Sequence, residues 1–103
     1  MDEKVLRDEV RELNRRFLLM CTRSTEQNVL DMSLKLNVPP GTLGAIRQLS
    51  TDQLDMLADS GRSLVQPTLD EQSLLRAVEI QCPATRTLFL SAGKKVGSGV
   101  AAN

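Results

Sequence analysis

Apolar residues in the first 23 positions recur at helical spacing. Leu6, Val10, Leu13, Phe17 and Met20 fall 4, 3, 4 and 3 positions apart, which aligns them in one stripe of a helix. The pattern predicts a long helix from Asp2 to Arg23, with Glu3→Arg7 and Glu12→Arg16 as i,i+4 pairs in the favoured order. Leu18, Leu19 and Cys21 form a second stripe near its C-terminal end. One side of this helix is therefore expected to meet its own domain and another to meet a neighbour.

Ser24 to Gln27 reads as a break or a restart, and Ser24 with Gln27 fits a capping box. Val29, Leu30, Met32, Leu34 and Leu36 then predict a short helix, closed by Asn37-Val38-Pro39-Pro40 because proline lacks the backbone donor. Pro40 also suits the first turn of a following helix that carries Leu43, Ile46 and Leu49. Ser50 with Gln53 forms another capping box and opens a helix with Leu54, Leu57 and Ala58, which Ser60-Gly61 ends. Leu64-Val65-Gln66 is short enough to be extended before the turn at Pro67. Asp70 to Glu79 predicts a last helix with Leu74, Leu75 and Val78 facing inward. From Gln81 onward Pro83, Gly93, Gly97 and Gly99 among small residues predict a flexible tail.

Composition narrows the function. The 103 residues suffice for one small domain. There is no histidine, which removes His-based triads, imidazole bases and His metal ligands. Cys21 and Cys82 stand 61 positions apart, so the chain has no CxxC and no four-thiolate site. Phe17 and Phe89 are the only aromatic residues, too few for a base-stacking platform. No cofactor is expected. The mixed-charge start Met1-Asp2-Glu3-Lys4 does not read as a targeting signal, and no apolar run approaches a membrane span. The expected address is the cytoplasm, without a membrane partner and with reduced cysteines.

Catalytic motifs carry little. Ser91-Ala92-Gly93-Lys94 matches S-x-x-K, but it falls in the predicted tail with no core to hold its geometry. Gly93-Lys94 lacks the flanking residues of a phosphate loop, and Gly97-Ser98-Gly99 lacks the strand and histidine of a nucleophile elbow. No enzyme is expected. Asp52, Asp55 and Asp59 share a helix face by spacing; that face is a solvated surface or an acidic patch that docks a partner.

Met32, Leu36, Val38, Leu43 and Ile46 have the apolar spacing of two helices joined by a tight turn near Asn37, as in a helix-turn-helix. Thr42, Arg47 and Gln48 would then face outward from the second helix, and Lys35 would reach a phosphate. Packing of two helices explains the same spacing without DNA. Charge opposes an independent grip on DNA. Residues 24–60 hold Lys35 and Arg47 against Glu26, Asp31, Asp52, Asp55 and Asp59, a net −3, whereas specific binders neutralise roughly 6–10 phosphates. Residues 1–23 are net +1, residues 24–79 net −4 and residues 80–103 net +3.

The chain resembles the FlhD family, the D subunit of the flagellar master transcriptional activator. The likeness is an ungapped run from about Glu12 to Gly61. It includes Glu12-Leu13-Asn14-Arg15-Arg16-Phe17-Leu18-Leu19-Met20, Leu30-Asp31-Met32-Ser33-Leu34-Lys35-Leu36-Asn37-Val38 and Leu49-Ser50-Thr51-Asp52-Gln53-Leu54-Asp55-Met56-Leu57-Ala58. It implies a small all-helical homodimer that joins a larger, zinc-binding C-type activator subunit. That partner carries most of the grip on promoter DNA, and the complex works with RNA polymerase. The resemblance places Gln27, Asn28, Leu34 and Lys35 where the family has residues important for DNA binding by the complex. Gln27 and the charge of Lys35 match, whereas Leu34 stands for an aromatic and Asn28 for an acid. Gln66 stands where the best-known members have a cysteine that bridges the dimer, and Pro39-Pro40-Gly41 departs from a more acidic helix start. Related subunits on mobile elements activate conjugative-transfer genes instead of flagellar ones.

These readings combine into an all-α expectation: a small helical homodimer with a long N-terminal helix, a helix-turn-helix-like middle and a flexible tail. Residues 1–80 form the helical dimerisation and regulatory domain and 81–103 the tail. Leu6, Val10, Leu13, Phe17 and Met20 make the dimer seam. Gln27, Asn28, Lys35, Thr42, Arg47 and Gln48 are the DNA-contact candidates within the complex, and Asp52, Asp55 and Asp59 the partner-docking candidates. A helical adaptor or chaperone with no role on DNA is the alternative.

Overall fold

The structure is a computed structural model that describes residues 1–91. Helix α1 spans Glu3–Cys21. Asp2 starts it: the carboxylate accepts the Val5 N–H at 2.9 Å, and Glu3 adds negative charge to the first turn. No glycine or proline interrupts the 19 residues. Its end is closed locally, with the Thr22 N–H on Leu18 O, the Arg23 N–H on Met20 O and the Thr22 hydroxyl on Leu19 O. Of the two expected i,i+4 pairs, Arg16–Glu12 closes at 3.2 Å, whereas Glu3 and Arg7 do not pair.

The restart differs from the expected capping box. Ser24 turns inward, 2% exposed, and its hydroxyl has no hydrogen-bond partner among the described residues. The reciprocal bonds sit one residue later, where the Thr25 N–H donates to Asn28 Oδ1 and the Asn28 N–H to Thr25 Oγ1. Helix α2 follows over Val29–Leu36. Asn37 ends it in the left-handed region at φ 59°, which asparagine tolerates better than branched residues. The Val38 N–H then reaches back to Ser33 O, the closing bond of a Schellman turn. Helix α3 spans Pro40–Arg47, with Pro40 in the first turn where its missing donor is harmless. Helix α4 spans Thr51–Ala58, opened by the complete Ser50–Gln53 capping box.

These four helices form one compact unit, Met1–Val65. Its core joins Leu18 and Cys21 of α1, Val38 of the turn, Leu43 and Ile46 of α3 and Ala58 of α4. Phe17, Val29, Met32, Leu36 and Leu54 pack against it. Asn14 is also fully buried, a polar residue on the same α1 face. Its amide donates to Ala58 O at 3.1 Å and Arg62 O at 2.8 Å, and its carbonyl accepts the Leu64 N–H at 2.7 Å. One side chain thus satisfies three backbone groups where the chain leaves α4, a demand any buried loop must meet. Gly61 takes φ +79° in that exit. Leu64-Val65-Gln66 is not a strand, and no strand occurs among the described residues.

The second unit begins at Gln66. Helix α5 spans Glu71–Glu79, capped by Asp70 on the Ser73 N–H at 2.7 Å. That bond holds the Asp70 carboxyl below its ordinary value. Residues 83–91, placed by sequence in the tail, are helical and form α6. Two features explain the difference. Pro83 stands at the first helical position, and the Arg86 guanidinium donates to the Ala77 and Ile80 carbonyls at the end of α5. The inward face of α5 also needs correction: Ala77 is its buried residue, while Leu74, Leu75 and Val78 are all more than half exposed. A pair of nine-residue helices has too little surface to cover those side chains. The glycine-containing part of the tail, from residue 92, lies outside the described residues, as do most of the S-x-x-K match and all of Gly97-Ser98-Gly99.

Candidate functional site: the helix-turn-helix and the outer seam

α1 carries two faces. Asn14, Leu18 and Cys21 face the core of their own unit. The stripe predicted as a dimer seam lies mostly outside it: Leu6, Leu13 and Met20 are 52%, 48% and 42% exposed, whereas Val10 and Phe17 are half-buried. Leu19 is exposed as well, so the second stripe divides between core and surface.

α2 and α3 pack against each other across the Asn37 turn, in the order of a helix-turn-helix. Thr42 and Gln48 are exposed on α3 and just beyond it, and Gln27 is exposed before α2. Asn28 is half-buried and occupied by the Thr25 cap and by a bond to Arg23 O. Lys35 is exposed and pairs with Asp31 at 3.1 Å. Arg47 donates to Ser24 O at 3.1 Å, which ties the end of α3 to the turn that carries Gln27 and Asn28.

Asp52, Asp55 and Asp59 are all exposed along α4 and its cap. Asp55 is engaged by Arg15 of α1 at 3.1 Å, so the acidic face is partly neutralised by its own chain. Asn14 is the central residue the sequence reading passed over. Its signal was present: Asn14, Leu18 and Cys21 repeat the 4, 3 spacing of the seam on a different face.

The two cysteines occupy opposite environments. Cys21 is fully buried, and burial pushes its thiol above the ordinary value. Cys82 is exposed just before α6; the Thr85 side chain, then the Thr85 and Ala84 amides, hold its thiol below the ordinary value. Among the described residues no group of three or more acidic or cysteine side chains is placed to hold a metal, and no helix is long and apolar enough to cross a membrane.

The fold is that of a small all-helical protein with a helix-turn-helix-like pair and an apolar outer stripe. The family of the flagellar transcriptional activator, FlhD, matches residues 1–95, and the chain belongs to that family. Membership places it among transcriptional activators. No curated protein and no solved structure matches it.

Proposed function

We propose that the chain is the pairing subunit of a heteromeric activator. Two copies join through the outer seam of α1, whose exposed members are Leu6, Leu13 and, at its C-terminal end, Met20. A larger zinc-binding C-type subunit supplies most of the grip on promoter DNA, in the cytoplasm and in concert with RNA polymerase. Gln27, Asn28, Lys35, Thr42, Arg47 and Gln48 assist from the helix-turn-helix. The family description favours flagellar genes as targets, with conjugative-transfer genes as the sibling role.

The observation that carries this division of labour is the charge of the helix-turn-helix region. Two cations face five carboxylates over residues 24–60. Both cations already have partners within the chain, Lys35 on Asp31 and Arg47 on the Ser24 carbonyl. The net charge of −3 over this stretch, more than these exposed pairings, opposes the displacement of counterions from a duplex.

Fluorescence anisotropy with promoter duplexes tests the reading. The chain alone should bind weakly and without sequence preference at physiological salt, and tight binding should require the partner subunit. Nanomolar, sequence-specific binding by the chain alone overturns the proposal. The adaptor reading keeps one observation in its favour, the exposed carboxylates of Asp52 and Asp59. Chromatin profiling of the tagged chain separates the two, since an adaptor shows no promoter enrichment.

A further inference from the structure

At the C-terminal end of α1, Met20 and Arg23 meet Met32, Lys35 and Leu36 of α2 around a cleft of about 290 Å³. Met20, Met32 and Leu36 give it an apolar lining, and the two charged residues that line it are both basic. Met32 and Leu36 pack against the core from beneath, so the floor is anchored. Methionine is flexible and polarisable, which suits a surface that must fit a shape brought by something else.

Arg23 is available, and Lys35 is held only by an exposed pair. The last carbonyls of α1 are already taken by the Thr22, Arg23 and Ser24 amides and the Thr22 hydroxyl. Arg23 is therefore not needed as a helix cap, and its side chain makes no ion pair among the described residues. Lys35 pairs with Asp31, but both side chains are well over half exposed, and such pairs contribute at most about 1 kcal/mol. An arriving carboxylate can share or replace Asp31. The surrounding chain makes this positive spot unusual, because residues 24–79 are net −4.

We propose that this cleft docks an acidic amphipathic helix of a partner protein, with an apolar anchor among Met20, Met32 and Leu36 and flanking carboxylates on Arg23 and Lys35. The volume lies at the lower limit of the roughly 300–1,000 Å³ typical of small-molecule sites, which favours the anchor of a peptide over a whole cofactor. An amphipathic helix in an apolar groove with charged flanks is a recurring recognition mode. A phosphate backbone would satisfy the cations but leave the methionines and Leu36 facing water. Residues 92–103 carry Lys94 and Lys95 and no acid, so like charge opposes occupation by the chain's own end. The proposal goes beyond the pairing reading; it uses Met20, at the end of the α1 seam, and Lys35, one of the DNA-contact residues of that reading.

The chain holds four methionines, Met1, Met20, Met32 and Met56. Labelling their methyl groups with ¹³C gives two probes in the cleft and two outside it. The full-length protein is titrated with a synthetic helical peptide bearing leucines at i,i+4 between glutamates, with a lysine counterpart, and with a short DNA duplex. The acidic peptide should shift Met20 and Met32 and leave Met56 unchanged. The double substitution Arg23→Glu, Lys35→Glu should weaken that binding about tenfold while the circular dichroism spectrum is retained. Equal binding of the lysine peptide overturns the proposal, as does a response at Met56. So does a duplex that shifts Met20 and Met32 where the acidic peptide does not, which assigns the cleft to nucleic acid. Shifts that follow protein concentration alone assign it to a second copy.

Discussion

Replacing Asn14 with alanine should damage this protein more than any surface change of similar size. The Asn14 side chain is fully buried and holds Ala58 O, Arg62 O and the Leu64 N–H within 2.7–3.1 Å. Alanine supplies none of these bonds. The bond to Ala58 O is buried, so losing it leaves an unsatisfied carbonyl at about 1–3 kcal/mol; the other two bonds are partly buried and worth about 0.5–1.5 kcal/mol each. The expected loss is on the order of 3 kcal/mol, a large fraction of the stability of a small domain. At about 4–8 °C per kcal/mol, Tm should fall by on the order of 12–24 °C. The sequence has no tryptophan or tyrosine, so the unfolding curve must be read from helical circular dichroism in urea. Protein concentration has to be held fixed, because any coupling of folding to association shifts the midpoint.

Two further results sharpen the test. Asn14→Asp keeps the acceptor for Leu64 but turns both donated bonds into repulsive contacts with carbonyls, so it should destabilise more than alanine at neutral pH. Amide exchange at Leu64 should accelerate in Asn14→Ala beyond the change expected from global stability, because the residue holds that segment directly. A loss under about 1 kcal/mol, with Leu64 still protected, would refute the view that this asparagine holds the exit from α4.

Leu13→Asp should convert a dimer to a folded monomer in sedimentation, since Leu13 is half exposed and outside the core cluster; a monodisperse wild-type monomer would sink the pairing reading. Gly44→Ala should stabilise by about 0.5–1 kcal/mol in thermal unfolding, because a Cβ there meets nothing within 4 Å in the middle of α3. Cys82 should react with a thiol reagent in the native state at neutral pH and Cys21 only on unfolding. Burial raises the folded pKa of Cys21 above its unfolded value, so that contribution to stability is complete below the ordinary 9.0 and is lost as pH rises past it. Unfolding curves should therefore show a steeper alkaline loss for the wild type than for Cys21→Ala. Arg47→Ala should cost about 1 kcal/mol through Ser24 and should lower the salt slope of the promoter complex by about one if the guanidinium also reaches a phosphate.

Local signals made most of the first unit legible. The Ser50–Gln53 capping box, Pro40 at the start of α3 and the Asn37 turn each depend on residues within one helical turn, and each is found where expected. The stripes of α1 were readable only in part: helical spacing places Leu6, Leu13 and Met20 outward, but Phe17 packs on the core and the second stripe splits at the exposed Leu19. Readings that depended on distant partners did less well. Ser24 looks like a cap but is drawn inward, where its carbonyl accepts from Arg47, 23 positions away. The outward orientation of Leu74, Leu75 and Val78 follows from how little surface α6 offers, and α6 was itself hidden by Pro83 and by the glycines that follow it, although Leu88-Phe89-Leu90 gave an apolar signal within it. The α1 face marked by Asn14, Leu18 and Cys21 could be read, but the atoms Asn14 would bind could not, because they lie 44 to 50 residues along the chain.

The acidity of the middle of the chain follows from how its short helices are held. Helices of eight residues are marginal by themselves, so caps and first-turn charges matter. Asp52 lies in the first turn of α4, Asp55 pairs with Arg15 of α1, and Asp31 pairs with Lys35 within α2. Exchanging these residues for the lysines and arginines that grip a duplex would remove the favourable first-turn charge of α4 and both ion pairs. Basic residues at these positions would each act modestly against the local charges that support the short helices. A DNA-reading activator built on such a unit gains phosphate contacts most simply from a separate subunit. On the pairing proposal, the exposed stripe of α1, which its own core leaves uncovered, would be the means of assembling the complex that provides them.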